Sequence, residues 1–162
     1  MTAPELERLL VGADHVDTKT VHTTVPLREF VAAALSWQPV WIRLLWRARA
    51  VLATALRLRE THVPEMQVRP EEIKFAPGSK VGFFTVLAAE EDRFLLLEAG
   101  DTHLVGYLAV VAEPAAERVH TTTVVRYRRW TGRLYFAIVR PFHHIVVRSM
   151  INAAVAPARR KV

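Results

Sequence analysis

The chain has 162 residues, of which 51% are apolar and 23% are charged. This composition supplies enough apolar side chains for one core and excludes a disordered or fibrous polymer. Cysteine is absent, which excludes disulfides, thiolate nucleophiles and cysteine-ligated metal centres. The net charge of +6 favours an anionic partner, although it says nothing about the fold.

The length predicts a single domain over residues 13–156, with an N-terminal extension at residues 1–12 and a basic tail at residues 157–162. The start, MTAPELERLL, is acidic where a secretory signal would be basic, so we expect a cytoplasmic protein. Residues 40–58 and 134–156 are apolar but contain several arginines or histidines. A spanning helix would have to desolvate these side chains, so neither segment is expected to cross a membrane.

The first half of the chain predicts one strand and two helices. Residues 13–25 are rich in Val and Thr, which predicts a strand, and Pro26 favours a short helix from there to about Ser36. Pro39 breaks this helix, and residues 40–59 predict a longer one that is apolar around most of its circumference. The prolines in residues 60–80 predict an irregular connection.

The second half predicts four antiparallel strands and one long helix. Short turn-like groups separate the predicted strands, which are residues 81–88, 93–98, 103–112 and 118–128. Alternation in the last strand places one set of side chains on the core face, namely Val119, Thr121, Thr123, Val125 and Tyr127. The helix is predicted from an N-cap at Thr131 to about Ala156. One apolar side of it is marked by Leu134, Ile138, Phe142, Ile145, Met150 and Ala153.

This element order predicts an α+β fold in which a curved antiparallel sheet wraps around a long C-terminal helix, with two helices after the first strand. The order resembles the helix-grip fold of the START-like superfamily, also called SRPBCC or Bet v 1-like. Three stretches resemble an uncharacterised bacterial family of the DUF2867 type, placed near that superfamily: PVWIRLLWRARAVL, VGFFTVLAAEEDRFLLLEAGDTHLVGYLAV and GRLYFAIVRPFHHIVVRSM. The sheet reads as about five strands, fewer than the superfamily pattern, so either strands lie within the proline-rich connection or the cavity is reduced.

Recognisable catalytic motifs are absent, and no catalytic residue is predicted. The sequence contains neither a GxSxG elbow around its serines nor a GxGxxG or P-loop motif. The seven histidines show no HExxH arrangement, and His143 and His144 project about 100° apart on a helix. His22 and His120 would approach each other only if their strands pair. We therefore expect neither a metal nor a cofactor.

The resemblance implies a small hydrophobic or amphipathic ligand between the sheet and the C-terminal helix. The polar residues expected to line such a cavity are Tyr107, Thr121, Thr123, Tyr127, Tyr135 and His143. The alternative is that the aromatic residues among them only fill the core. A second hypothesis is an enzyme of the cyclase or dehydratase type that uses a cavity Tyr or His for acid–base chemistry.

A third hypothesis concerns a basic and aromatic cluster where the last strand meets the last helix. Its members are Arg126, Arg128, Arg129, Trp130 and Arg133. Cations beside aromatic rings suit a surface of nucleic acid or acidic lipid. Nucleic acid is not the expected partner, and peripheral membrane contact is the alternative that remains. The alternative is that these arginines form ion pairs with acidic side chains on the surface, which would add little to stability. No oligomeric state is predicted.

Overall fold

The computed structural model describes residues 9–55, 67–100 and 102–159, apart from the side chains of residues 49 and 157–159. Within these ranges the chain forms an α+β fold of one six-stranded sheet and three helices of ten residues or more. The helices are α1 (Leu27–Ser36), α2 (Val40–Ala55) and α3 (Trp130–Arg159). The strands are β1 (His15–His22), β2 (Lys80–Val81), β3 (Phe84–Glu90), β4 (Phe94–Gly100), β5 (Leu104–Glu113) and β6 (Arg118–Tyr127).

The sheet is antiparallel throughout and has the order β1-β6-β5-β4-β3-β2. The predicted arrangement of a curved sheet, two helices after the first strand and a long last helix is confirmed. The sheet has one strand more than the sequence indicated, because β2 has only two residues and is too short to show alternation. It lies at the end of the proline-rich connection, which agrees with the alternative that further strands lie within that connection. Residues 56–66, which include the predicted end of the second helix, lie outside the described ranges.

Helix α1 begins one residue later than expected, because Pro26 occupies the N-cap position. Its buried side, including Leu27, Phe30 and Leu35, packs against α3 and the sheet. Strand β1 ends before its predicted boundary because Thr23 leaves the ladder. The amide of Thr23 donates to the carbonyl of Glu117, and its hydroxyl accepts from the amide of Val25.

Strand β6 shows the alternation that the sequence predicted. Val119, Thr121, Thr123 and Val125 are buried on the face that carries the helices, and Tyr127 is half-buried. The opposite face also buries apolar side chains, namely Phe94, Leu96, Val105, Ala109 and Val124. The sheet therefore excludes water on both faces near its centre.

Helix α3 has two apolar sides, and the side that the sequence marked is not the one it buries most fully. Tyr135, Phe136, Ile151, Ala154 and Val155 are buried. The most regularly spaced large apolar residues are instead exposed, namely Leu134, Ile138, Phe142 and Ile145. A helix normally buries its apolar side, so this exposed surface is unusual.

Candidate functional site

A cluster of polar side chains lies where β1 and β6 pass beneath the middle of α3. We call it the polar cluster, and it consists of His15, Asp17, Lys19, Thr121, Thr123, His143 and His144. Its position follows from the period of a strand, because alternate residues of β1 share one face. The register places Asp17 opposite Thr123 and Lys19 opposite Thr121, so the two strands present these polar groups side by side.

Asp17 joins the strand part of the polar cluster to the helix part. One of its carboxylate oxygens accepts from the ammonium of Lys19, and His144 Nδ1 lies 3.2 Å from the same oxygen. Burial opposes ionisation of Asp17. The hydrogen bond from Lys19, with the charges of Lys19 and His144, outweighs burial and lowers its pKa. The carboxylate is therefore a charged acceptor at neutral pH.

The two other imidazoles lie in a less polar setting beside Phe136. The ring centroid of Phe136 is 5.1 Å from that of His15 and 6.0 Å from that of His143. Burial lowers the pKa of His143 to about 4, and nearby His144 acts in the same direction. Burial also lowers the pKa of His15, with a further contribution from Arg140. Both shifts favour the neutral imidazole.

Three polar atoms of the polar cluster are buried without a hydrogen-bond partner in the described part of the chain. They are His15 Nε2, Thr121 Oγ1 and His143 Nε2. Most buried polar atoms in proteins have a partner, so three such atoms in one region call for an explanation. A bound water or the polar group of a ligand would supply the missing bonds.

A small apolar cavity adjoins the polar cluster between α1, α3 and the sheet. Its volume is about 50 Å³, which is room for one or two groups of the size of water. It is lined by Phe30, Val31, Ala34, Leu35, Leu108, Val110, Thr121, Val147, Met150 and Ile151. Thr121 belongs to both the cavity and the polar cluster. His143, Val147 and Ile151 follow one another at four-residue spacing along α3, so cluster and cavity lie along one side of the helix.

A second and larger cavity, of about 180 Å³, lies where the β1–α1 connection meets the ends of β5 and β6. Asp92 and Glu117 line it, and both have left-handed backbone angles, with φ of 61° and 49°. Arg118 contributes a positive charge to the same wall. This cavity shares no lining residue with the polar cluster, and none of the predicted site residues lines it.

Three of the six predicted cavity residues, Thr121, Thr123 and His143, belong to the polar cluster. Tyr127 is close to it, since its ring centroid lies 6.0 Å from that of Phe136. Burial raises the pKa of Tyr127, and the charge of Asp14 acts in the same direction. The structure therefore brings four of the predicted residues to one region.

The other two predicted residues lie elsewhere. Tyr135 is buried in a separate small core beside Ala53. Tyr107 pairs with Val124 across the sheet, which puts it on the face away from α3. There the guanidinium of Arg126 lies 5.5 Å from the centre of its ring.

The predicted anion-surface residues share one end of the sheet but not one face. Arg128, Arg129, Trp130 and Arg133 are exposed. Arg126 is half-buried on the face away from α3, where its guanidinium donates to the carbonyls of residues 9 and 11 at 2.7 Å each. Arg126 thus holds the start of the described chain against the sheet.

Sequence reasoning missed four members of the polar cluster, which are His15, Asp17, Lys19 and His144. The available signal was the series of polar residues at alternate positions in HVDTK, within a strand otherwise rich in Val and Thr. The strands of His22 and His120 do pair, but the two residues have different partners. His120 bonds to Thr20 at 2.9 Å, and His22 lies opposite Arg118.

Within the described ranges, no group of three or more His, Asp or Glu side chains is placed to hold a metal ion. None of the helices described there is long and apolar enough to cross a membrane.

Comparison with known proteins assigns the chain to a family. A family profile described as Protein of unknown function (DUF2867) matches residues 9–150. The chain belongs to this family. The matched region includes all six strands of the DUF2867 fold and most of α3, which confirms the resemblance to this uncharacterised family. No match was found among curated proteins or among solved structures. Kinship with the START-like superfamily stays a prediction.

Proposed function

We propose that this DUF2867 protein binds a small amphipathic molecule between the sheet and α3. The observation that carries the proposal is the three buried, unpartnered polar atoms beside an apolar cavity. An apolar cavity with a few convergent polar groups is the usual form of a small-molecule site. The apolar part of the ligand would occupy the cavity, and its polar part would bond to the polar cluster.

The electrostatics of the polar cluster favour a neutral polar group on the ligand. The charge of Asp17 is already paired with that of Lys19, so the unpartnered groups left for a ligand are the hydroxyl of Thr121 and two imidazoles. Thr121 and the neutral imidazoles of His15 and His143 each offer either a donor or an acceptor. A hydroxyl or carbonyl group fits this set of partners.

The size of the cavity adds a requirement. Sites for drug-sized ligands usually have volumes of about 300–1,000 Å³, which is several times the space present here. A ligand larger than a few atoms therefore requires α3 to move away from α1. The contact that must open is the packing of Phe30 and Leu35 against Val147 and Ile151.

Native mass spectrometry of protein purified from its own cytoplasm, where we expect it to reside, tests the proposal. The wild type should carry a small molecule that is released on denaturation. Thr121→Val should carry much less of it, because the variant removes one polar partner and keeps the shape. Thr122→Val is the matched control: Thr122 is the next residue, on the opposite face, and bonds to Thr18. Absence of a bound molecule from the wild type, or equal retention by Thr121→Val, would refute the proposal.

The contact between Asp17 and His144 favours a second candidate function, acid–base catalysis on the bound molecule. A carboxylate that holds an imidazole through Nδ1 leaves Nε2 to exchange a proton with a substrate. The side chain of His144 is partly exposed, so a substrate can reach it. Cyclisation with dehydration would change the ligand by one water. Molecules eluted from the wild type and from His144→Gln should then differ by the mass of one water. Identical masses would show that the protein binds the molecule without converting it.

A further inference from the structure

The outer sides of α2 and α3 form an exposed apolar surface. We call it the apolar surface, and it consists of Val40, Trp41, Leu44, Val51, Leu134, Ile138, Phe142 and Ile145. Its members are exposed by 39% to 72%. Single exposed apolar residues are ordinary, but a set of eight on two adjacent helices marks an interaction surface.

The two helices contact each other, so their exposed sides border the same seam. Leu52 and Ala53 of α2 pack with Tyr135 and Val139 of α3. On α3, Phe142 lies on the same side as Tyr135 and Val139, because residues three, four or seven apart share a side of a helix. Leu52 and Trp41 likewise share a side of α2, since eleven residues make about three turns.

The charged residues within the two helices that carry the apolar surface are all arginines. Helices α2 and α3 carry seven of the 22 basic residues and none of the 16 acidic ones, so the rest of the chain is nearly neutral. Five of these arginines have described side chains, and none of the five lies within ion-pair distance of a carboxylate in the described ranges. They are Arg43, Arg47, Arg133, Arg140 and Arg148. Arg148 projects about 60° from Ile145, so it flanks the apolar surface, as Arg43 and Arg47 do on α2. Arg133 and Arg140 lie on the other side of α3, where Arg133 is 5.9 Å from the ring of Tyr127 and Arg140 acts on His15.

We infer that this side of the protein binds peripherally to a bilayer that contains anionic lipid. Apolar and Trp side chains would enter the headgroup region, and Arg43, Arg47 and Arg148 would contact lipid phosphates. The charge pattern argues against a second copy of the chain, because a two-fold contact would bring arginines against arginines. It also argues against nucleic acid, whose phosphates would leave Leu44, Ile138 and Ile145 without an apolar partner.

Vesicle flotation tests the inference. Vesicles of phosphatidylcholine alone should retain little wild-type protein, and vesicles that also contain phosphatidylglycerol should retain most of it. Replacing Leu44 and Ile145 by serine should weaken the partitioning about tenfold or more, because both side chains lose their apolar contact with lipid. Replacing Val16 and Leu87 by serine is the matched control, since these residues are also exposed but lie on the sheet. That control should bind as the wild type does.

The electrostatic part is tested separately with Arg43→Gln/Arg47→Gln against Arg93→Gln, an exposed arginine of the β3–β4 turn. The helix variant should lose about tenfold in partitioning, and added salt should weaken the wild type. Thermal unfolding of each variant checks that it is folded. Three results would overturn the inference: no binding to either vesicle, equal binding to both, or a wild-type dimer that the Leu44/Ile145 variant converts to a monomer.

Discussion

His144 Nδ1 lies 3.2 Å from a carboxylate oxygen of Asp17, and this contact ties the middle of α3 to the edge strand of the sheet. Farther along α3 the contacts with the sheet and α1 are apolar, through Val147 and Ile151. The helix is therefore held by a polar contact to a carboxylate at one point and by apolar packing around a small cavity at the next.

Replacing Asp17 by Asn should lower the free energy of unfolding by about 1–2 kcal/mol at pH 7, because the ammonium of Lys19 loses its charged acceptor. The pKa of Asp17 is lowered in the folded protein, so its contribution is present above the ordinary pKa of Asp and is lost as the pH falls through the lowered value. Urea denaturation of the wild type and of the variant at pH 7 and pH 3 measures the loss of stability and its pH dependence. Glu90→Gln, which breaks the exposed pair with Arg93, should change stability by less than about 0.5 kcal/mol. A larger effect of Glu90→Gln than of Asp17→Asn would show that the contact between Asp17 and Lys19 does not stabilise the fold.

Protonation of His143 should destabilise the protein in mild acid. Its pKa is about 4 when folded and 6.5 ordinarily, so the unfolded chain binds the proton first as the pH falls. Stability should thus decrease between about pH 6.5 and pH 4, by about 3 kcal/mol from this residue. The charged and titratable groups around it are His15, Asp17, Lys19 and His144.

His143→Leu should remove that part of the pH dependence, and His22→Leu, on the exposed end of β1, should not. Urea midpoints at pH 7 and pH 4.5 make the comparison. A His143→Leu variant with the same acid sensitivity as the wild type would show that His143 is not buried as a neutral imidazole.

Thr121→Val should stabilise the unliganded protein by about 0.5–1 kcal/mol, because it removes a buried hydroxyl without a partner. Thr122→Val should act in the opposite direction, because it breaks the bond to Thr18. Thermal unfolding of ligand-free protein distinguishes the two. Destabilisation by Thr121→Val would mean that its hydroxyl has a partner within the protein.

Gly132 lies where β5 meets the start of α3 and should tolerate no side chain. A Cβ at this position would lie 2.3 Å from the carbonyl oxygen of His103, which accepts from the amides of Arg128 and Arg129. Gly132→Ala should therefore cost about 2 kcal/mol or more. At Gly106 the nearest heavy atom would be 3.6 Å away, so Gly106→Ala should cost less than about 1 kcal/mol. Equal melting temperatures for the two variants would contradict this packing.

The order of elements could be predicted because each one leaves a local pattern. The alternation of Val119, Thr121 and Thr123 predicted the buried face of β6, and Pro26 and Pro39 predicted the bounds of α1. Such patterns need only a few neighbouring residues.

Which side of α3 faces the sheet could not be predicted, because the helix is apolar on two sides. Residues such as Ile138 and Ile145 satisfy helical spacing as well as the buried residues do. The polar cluster could not be predicted for a different reason. Asp17 and His144 are more than 120 residues apart, and only the pairing of β1 with β6 beneath α3 brings them together.

If the space beneath α3 receives a ligand, a side chain that fills this space should exclude the ligand. Val147→Ile adds one methylene to a side chain that lines the cavity, and Val146→Ile adds the same group to a neighbour that does not line it. Native mass spectrometry of both variants, purified as the wild type is, gives the answer. We expect Val147→Ile to retain less bound molecule than Val146→Ile and to remain at least as stable as the wild type. Equal retention by the two variants would show that the ligand does not occupy this space.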